Sequence, residues 1–246
     1  MPQDIKGEFV IPYGVMGIGK RAFYGCFRLA SVTIPSSVTS IGAYAFCACD
    51  GLTSMTIPDN VTSIENSAFF NCGGLTSVTI SNGITSIEPG VFCGCSSLES
   101  VMIPDSVMNI KENAFNGCKR LISVTIPNSV TNIGDAAFYS CQSLTHVAIP
   151  NSVTIIRSYT FCHCMSLTSM TIPDSVTSIE EKAFAYCSSL TSVTISDSVM
   201  SISKDVFDGC DKLANLSFEG KTFEQVKAMD NYPFGIEDES VIKCGQ

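Results

Sequence analysis

A phenylalanine recurs every 23 residues through most of this chain. The nine phenylalanines are Phe23, Phe46, Phe69, Phe92, Phe115, Phe138, Phe161, Phe184 and Phe207. A cysteine follows each of them by three residues and a leucine by six, without a slip in register. Such a repeat predicts a solenoid, in which each unit is one coil that buries its apolar side chains against the neighbouring coils. We number the units one to nine by their phenylalanine.

The spacing within a unit predicts two short strands and a turn. In unit two, Met55-Thr56-Ile57 alternates apolar and polar residues, the pattern of a strand with one buried face. Pro58 lacks a backbone donor and ends that strand. Residues 61–64 form a second short extended segment. We expect one turn of helix at 67–69, with Phe69 as the large side chain of the core.

The repeat carries a family resemblance. Its pattern, Leu-x-x-Val-x-Ile-Pro-x-x-Val-x-x-Ile-x-x-x-Ala-Phe-x-x-Cys, resembles the BspA-like (treponemal-class) leucine-rich repeat and is seen, for example, from Leu167 to Cys187. The match covers roughly residues 9 to 218. The resemblance implies an α/β repeat solenoid, right-handed, with a parallel sheet on its concave side. It also implies a protein-binding or adhesive role, often at the surface of a bacterium or a protist.

The regular repeat degrades after Phe218, which divides the chain into a solenoid at 1–218 and a C-terminal cap at 219–246. Within the cap, Thr222 is a predicted helix N-cap. Three apolar side chains then recur at helical spacing: Phe223, Val226 and Met229. Residues 240–244 predict a closing strand. A solenoid needs such a segment because its last coil otherwise exposes an apolar side.

The repeat already begins within eight residues of Met1, at Phe9. We expect either that an upstream segment has been removed or that another chain covers the edge of the first coil. Residues 1–6 lack the basic and then apolar pattern of a signal peptide. A cytoplasmic location therefore stays open beside the cell-surface or secreted location that the resemblance implies.

Thirteen cysteines fall mainly in one repeat position. Nine of them are the repeat cysteines: Cys26, Cys49, Cys72, Cys95, Cys118, Cys141, Cys164, Cys187 and Cys210. Side chains stacked at equivalent positions point in parallel, so we predict a buried column of free thiols rather than disulfides. Many unpaired thiols indicate a reducing environment, cytosolic or anaerobic.

Three further cysteines, Cys47, Cys93 and Cys162, lie two and three units apart, too far from one another to share an ion. The triplet at 162–164, Cys-His-Cys, lacks a fourth ligand nearby. The sequence therefore predicts no metal and no cofactor.

Composition excludes several classes of function. The net charge is −9, with 23 acidic and 14 basic residues and no basic cluster, which argues against nucleic acid as a partner. No apolar run approaches the roughly 20 residues of a membrane span. The two histidines, His146 and His163, lie in different units, and no nucleophile elbow, phosphate loop or zinc-protease motif occurs. The sequence thus predicts that the protein is not an enzyme.

Most units place serine and threonine on the predicted concave sheet, where small hydroxyl side chains suit β geometry. Five residues in units four to six depart from this rule: Glu99, Met102, Ile122, His146 and Ala148. Four more depart on the opposite side: Met108, Lys111, Ile155 and Arg157. Neutral drift in relaxed repeats would explain such departures. The alternative hypothesis is a concave patch, formed by the first five residues, that contacts a protein ligand.

These features together predict non-enzymatic protein recognition, with adhesion to host or matrix proteins as the specific role. Two alternatives belong to other classes of function. One is a structural spacer without its own ligand, and the other is a thiol-based redox or metal-binding protein, which a count of reactive thiols in the folded state would distinguish. The sequence does not identify the ligand, the organism or the oligomeric state.

Overall fold

A computed structural model describes residues 5–245. Residues 1–4, part of the segment without a signal-peptide pattern, and residue 246, the end of the predicted cap, lie outside it. Short parallel strands dominate. The strands are β1 (Lys6–Val10), β2 (Gly17–Ile18), β3 (Arg28–Thr33), β4 (Ser40–Ile41), β5 (Ser54–Thr56), β6 (Ser63–Ile64), β7 (Ser77–Thr79), β8 (Ser86–Ile87), β9 (Ser100–Met102), β10 (Asn109–Ile110), β11 (Ser123–Thr125), β12 (Asn132–Ile133), β13 (Ile155–Ile156), β14 (Ser169–Ile172), β15 (Ser178–Ile179), β16 (Ser192–Ile195), β17 (Ser201–Ile202), β18 (Asn215–Phe218) and β19 (Ile242–Cys244). One α-helix, α1 (Phe223–Lys227), and one 3-10 helix (Glu239–Val241) complete the described elements.

The strands form two ladders along the solenoid. The first ladder contains β1, the strands at or just after the repeat leucines, and β19, joined in the orders β1-β3, β5-β7-β9-β11 and β14-β16-β18-β19. The second ladder contains the two-residue strands, in the orders β2-β4-β6, β8-β10-β12 and β13-β15-β17. All described pairs are parallel, and from β2 to β18 they keep the 23-residue register, as Ser77 with Ser100 shows. This confirms the predicted parallel repeat solenoid.

The turn around each phenylalanine is not helical, so the expected helical turn at 67–69 is wrong. Ser67 and Asn71, two residues on either side of Phe69, have left-handed φ values of 56° and 54°. A right-handed helix cannot pass through such residues. The backbone bonds instead to the next coil, since the Phe69 N–H donates to the Val91 carbonyl at 2.9 Å. This connection recurs at each repeat phenylalanine from Phe23 to Phe184, and we call it the turn ladder.

The phenylalanine rings stack in one buried column with centroids 5.0 to 5.8 Å apart. Hydrogen-bonded strands lie closer, at about 4.8 Å. The larger centroid distance reflects the offset stacking of the rings, because the backbone on this side is hydrogen-bonded from coil to coil as the strands are. All nine phenylalanines are buried, and they form the centre of the core.

The repeat cysteines form the predicted buried column of free thiols. Each thiol from Cys49 to Cys210 donates to the carbonyl oxygen of the phenylalanine 26 residues earlier, at 3.0 to 3.4 Å between sulfur and oxygen. The side chain therefore fills a small apolar space and also satisfies a buried carbonyl. Alanine could do only the first of these, and serine would bury a more polar atom.

The C-terminal elements close against the last strand of the repeat. Helix α1 begins with Thr222 as N-cap, as predicted, and the Thr222 hydroxyl accepts from the Gln225 N–H in a capping box. The closing strand begins at Ile242 rather than at Ser240, because residues 239–241 form the 3-10 helix. Strand β19 pairs with β18 at the end of the first ladder.

Candidate protein-binding face

The five predicted site residues all lie exposed on the first ladder in units four to six. Equivalent positions in successive units form columns along this face, and the five residues occupy three neighbouring columns. In the outer column, the Ile122 N–H donates to the Glu99 carbonyl at 2.9 Å. In the next column, His146 forms a bridge with Ser123. In the third, Met102 pairs with Thr125 across β9 and β11. The structure thus brings these residues onto one surface.

This surface combines large apolar side chains with an exposed ion pair. Met102 is 76% exposed and Ile122 is 51% exposed, although both occupy columns that hold threonine in most units. The Glu99 carboxylate forms an ion pair with the Arg120 guanidinium at 3.0 Å. Arg120 is not among the predicted site residues, and its only signal in the sequence is a basic residue placed nearly one coil after an unusual acidic one.

The first ladder stops at the coil that carries His146 and Ala148. Residues 144–149 form no strand, and between units six and seven the Thr168 N–H does not reach the Thr145 carbonyl. Ala148 replaces a threonine, whose branched side chain favours extended backbone. A groove of about 270 Å³ lies here. Its lining includes His146, Ala148, Ser169, Thr171 and Pro173.

The four departures noted on the opposite side lie in columns of the second ladder, away from this surface. Met108 is 49% exposed, and its N–H donates to the Thr85 carbonyl. Arg157 is half-buried, and its Nε donates to the Asn132 side-chain oxygen at 3.1 Å. The nine departures therefore fall on two separate faces.

The thiols show no sign of a reactive or metal-binding arrangement. Burial raises the pKa of the Cys118 and Cys164 thiols well above the ordinary 9.0, which leaves little thiolate at neutral pH. Within residues 5–245, no three His, Cys, Asp or Glu side chains group closely enough to hold a metal ion. No helix of that range has the length and apolar character required to cross a bilayer.

The geometry defines a parallel β-solenoid of the leucine-rich-repeat class. The chain belongs to the BspA type leucine rich repeat family, whose sequence profile matches residues 16–145 and 108–235 in six copies. Solenoids of this class typically present binding surfaces rather than catalytic sites. No curated protein matches the sequence.

Several solved structures share the fold. A leucine rich cell surface protein from Faecalibacterium prausnitzii A2-165 is 31% identical, with a TM-score of 0.64, over 91% of this chain and 62% of its own. This chain thus spans less than two thirds of that protein. The T. pallidum leucine rich repeat protein is 28% identical, with a TM-score of 0.50, over 84% of this chain and 77% of its own. The pneumococcal vaccine antigen PcpA shares the fold at 20% identity and a TM-score of 0.64, over 97% of this chain and 62% of its own.

Proposed function

We propose that this protein is an adhesion module that acts at a cell surface and binds a host or matrix protein through the first ladder of units four to six. One observation carries the proposal: the exposed Met102 and Ile122 side chains lie on the same ladder as the groove at His146, in columns that hold threonine in most units. Exposed apolar side chains rimmed by polar ones mark protein contact surfaces. The likeness to a leucine rich cell surface protein supports the location.

Binding of the purified chain to immobilised fibronectin and fibrinogen tests the proposal, at low salt and at physiological salt. We expect saturable binding that persists at physiological salt, because an apolar contact is screened little by ions. Binding confined to low salt would indicate non-specific attraction by the net charge of −9. Absence of saturable binding to either protein would contradict this adhesion proposal and favour a spacer.

A matched pair of variants locates the contact. Met102→Asp places a charge in the proposed surface and is expected to weaken binding at least tenfold, since burying an unpaired carboxylate opposes association. Met200→Asp makes the same change at a side chain that is 74% exposed on the second ladder, and it is expected to bind like the parent. Equal affinities for the two variants, with unchanged circular dichroism, would remove this surface from consideration.

A further inference from the structure

The second ladder has two gaps, which fall three units apart. One gap separates β6 from β8, and the other separates β12 from β13. On the phenylalanine side, the turn ladder crosses both places without interruption. Each gap is therefore a local parting of two coils that stay bonded along the opposite edge.

The gap between units two and three leaves backbone groups without partners. Where coils of this ladder pair, an amide donates to a carbonyl one coil earlier, as the Thr62 N–H does to the Thr39 carbonyl at 2.9 Å. At the gap, the N–H groups of Thr85 and Glu88 make no hydrogen bond to any described residue. The carbonyls of Thr62 and Ile64 likewise accept none from residues 5–245. Two donors and two acceptors therefore face a space between the coils.

That space is an acidic cleft of about 550 Å³, lined by Glu65, Glu88, Ser63 and Ser86 among others. The Ser86 hydroxyl oxygen is buried and has no hydrogen-bond partner within the described chain. The hydroxyl oxygens of Ser106 and Ser175 also lack a partner in the described structure, so it is the combination of Ser86 with the free backbone groups that sets this cleft apart.

Glu88 differs from its counterparts in other units. The Glu180 carboxylate accepts from the Ser158 N–H at 3.1 Å, and Glu65 makes the same kind of bond to its preceding coil. The Glu88 carboxylate forms no hydrogen bond or ion pair with the rest of the described structure. It therefore remains available for a ligand.

The gap between units five and six shows which kind of side chain can occupy such a space. Between β12 and β13, the Arg157 side chain reaches across the parted coils, and its Nε donates to the Asn132 side-chain oxygen at 3.1 Å. Arg157 lies 69 residues, or three units, after Glu88, and Asn132 lies the same distance after Ser63. The chain thus fills one gap with its own arginine and has a carboxylate at the equivalent position of the other.

We propose that the cleft between units two and three binds an arginine side chain on an extended segment of a partner protein. A guanidinium carries five N–H donors in a planar fork, which suits the free carbonyls of Thr62 and Ile64 and the Glu88 carboxylate. The amides of Thr85 and Glu88 offer donors to the carbonyls of the segment that carries the arginine. This site lies on the second ladder and is independent of the adhesion surface.

Titration of N-acetyl-arginine amide into the ¹⁵N-labelled full chain, followed by NMR, tests the proposal. We expect saturable shifts of the Thr85 and Glu88 amide signals. N-acetyl-citrulline amide has the same shape without the charge and is expected to cause at least tenfold weaker shifts at equal concentration. Glu88→Gln should weaken arginine binding at least tenfold, whereas the exposed Glu112→Gln, with the same charge change one coil away, should leave it unaltered.

A double variant tests the site by filling the cleft rather than by removing a contact to the arginine probe. Ser63→Asn with Glu88→Arg reproduces the side-chain pair of the other gap, so the chain should fold and fill its own cleft. We expect this variant to show no saturable shift with the arginine probe. The proposal would be overturned by equal binding of the arginine probe to the parent and to Glu88→Gln. It would also be overturned by shifts that spread over the acidic surface without saturating, or by the absence of shifts. None of these results depends on binding to fibronectin or fibrinogen.

Discussion

Left-handed backbone two residues before each repeat phenylalanine shapes the coils of this protein at the residue scale. The residues concerned are Arg21, Tyr44, Ser67, Gly90, Asn113, Ala136, Tyr159, Lys182 and Asp205. Only one of these nine is the glycine that such a conformation favours. Because the other eight share neither size nor charge, no residue pattern marks this column. The mistaken expectation of a helical turn has this cause.

Replacing one of these residues by glycine should stabilise the fold. Ala136 has a φ of 52°, which costs an alanine about 1 kcal/mol or more, and the extra entropy of an unfolded glycine offsets part of the gain. We expect Ala136→Gly to raise the free energy of unfolding by about 0.5 kcal/mol. The neighbouring Ala137→Gly should lower it by about 1 kcal/mol, because Ala137 is fully buried with ordinary backbone. Urea unfolding of the two variants measures the difference, and a shared sign would contradict the argument.

Some departures from the repeat compensate one another. In unit five the Ser129 hydroxyl donates to the Val107 carbonyl at 2.8 Å. Unit three has Gly83 at that position, and there the Ser81 hydroxyl donates to the Val61 carbonyl at 2.7 Å. A Cβ on Gly83 would lie 2.7 Å from the same carbonyl oxygen. Ser81, which replaces the usual proline, thus restores a bond that its neighbour cannot make.

At the scale of the element, the thiol column couples folding to pH. Burial raises the pKa of thiols such as Cys118 and Cys187 well above the ordinary 9.0. An unfolded chain loses these protons near pH 9, whereas the folded chain keeps them. The stability that the buried thiols confer is therefore complete below pH 9 and declines as the pH rises toward their folded pKa values.

We expect the free energy of unfolding to fall above pH 9 by up to about 1.4 kcal/mol per pH unit for each buried thiol. Cys118→Ala should reduce this slope by about the same amount, whereas Cys244→Ala, at a half-buried position near the C-terminus, should change it less. Urea unfolding under reducing conditions at pH 8.0, 9.5 and 10.5, three values chosen to straddle the ordinary thiol pKa, provides the measurement. A slope that does not change in Cys118→Ala would mean that its thiol is not protected by burial.

The C-terminal segment replaces a further coil, and we propose that residues 219–246 act as a cap. The Phe207 N–H, which in other units would reach the next coil, donates to the Phe234 carbonyl at 3.0 Å. The buried Phe234 ring lies 6.0 Å from the Phe218 ring. Its contacts therefore cover the last regular coil.

Truncation of this side chain tests the cap. Phe234→Ala should lower the free energy of unfolding by about 3 to 5 kcal/mol, because it leaves a cavity against the final coil. Phe223→Ala removes a ring that is 39% exposed and is expected to cost about 1 kcal/mol or less. Thermal and urea unfolding compare the two variants. Equal losses would show that Phe234 has no special role at this end of the solenoid.

At the scale of the whole molecule, the three hydrogen-bond ladders are unequal. The turn ladder is continuous from unit one to unit nine, whereas the first ladder is interrupted between units one and two and again after unit six, and the second is interrupted twice. Amides at the gaps are therefore expected to exchange with solvent faster than their equivalents in paired coils. We expect Thr85 and Glu88 to exchange at least tenfold faster than Thr62 and Met108, measured by hydrogen exchange and NMR. Equal protection of all four amides would mean that the second ladder is in effect continuous.

The sequence predicted the regular features of the molecule well and the irregular ones poorly. The period, the parallel strands, the phenylalanine core and the buried thiols follow from positions that every unit shares. The gaps do not, because Thr85 and Glu88 resemble residues at paired positions and differ only in how two coils meet. The exposed patch at Met102 and Ile122 was visible as a departure from the repeat, but the groove beside it depends on the backbone of a single coil.

An uninterrupted turn ladder beside two interrupted ones makes the solenoid mechanically uneven. Stretching or bending it would meet high stiffness along the phenylalanine edge and low stiffness where coils have already parted. Deformation would concentrate between units two and three, where no side-chain hydrogen bond such as that of Arg157 links the parted strands of the described structure. A solenoid held at one end and pulled at the other would thus transmit tension first to its acidic cleft.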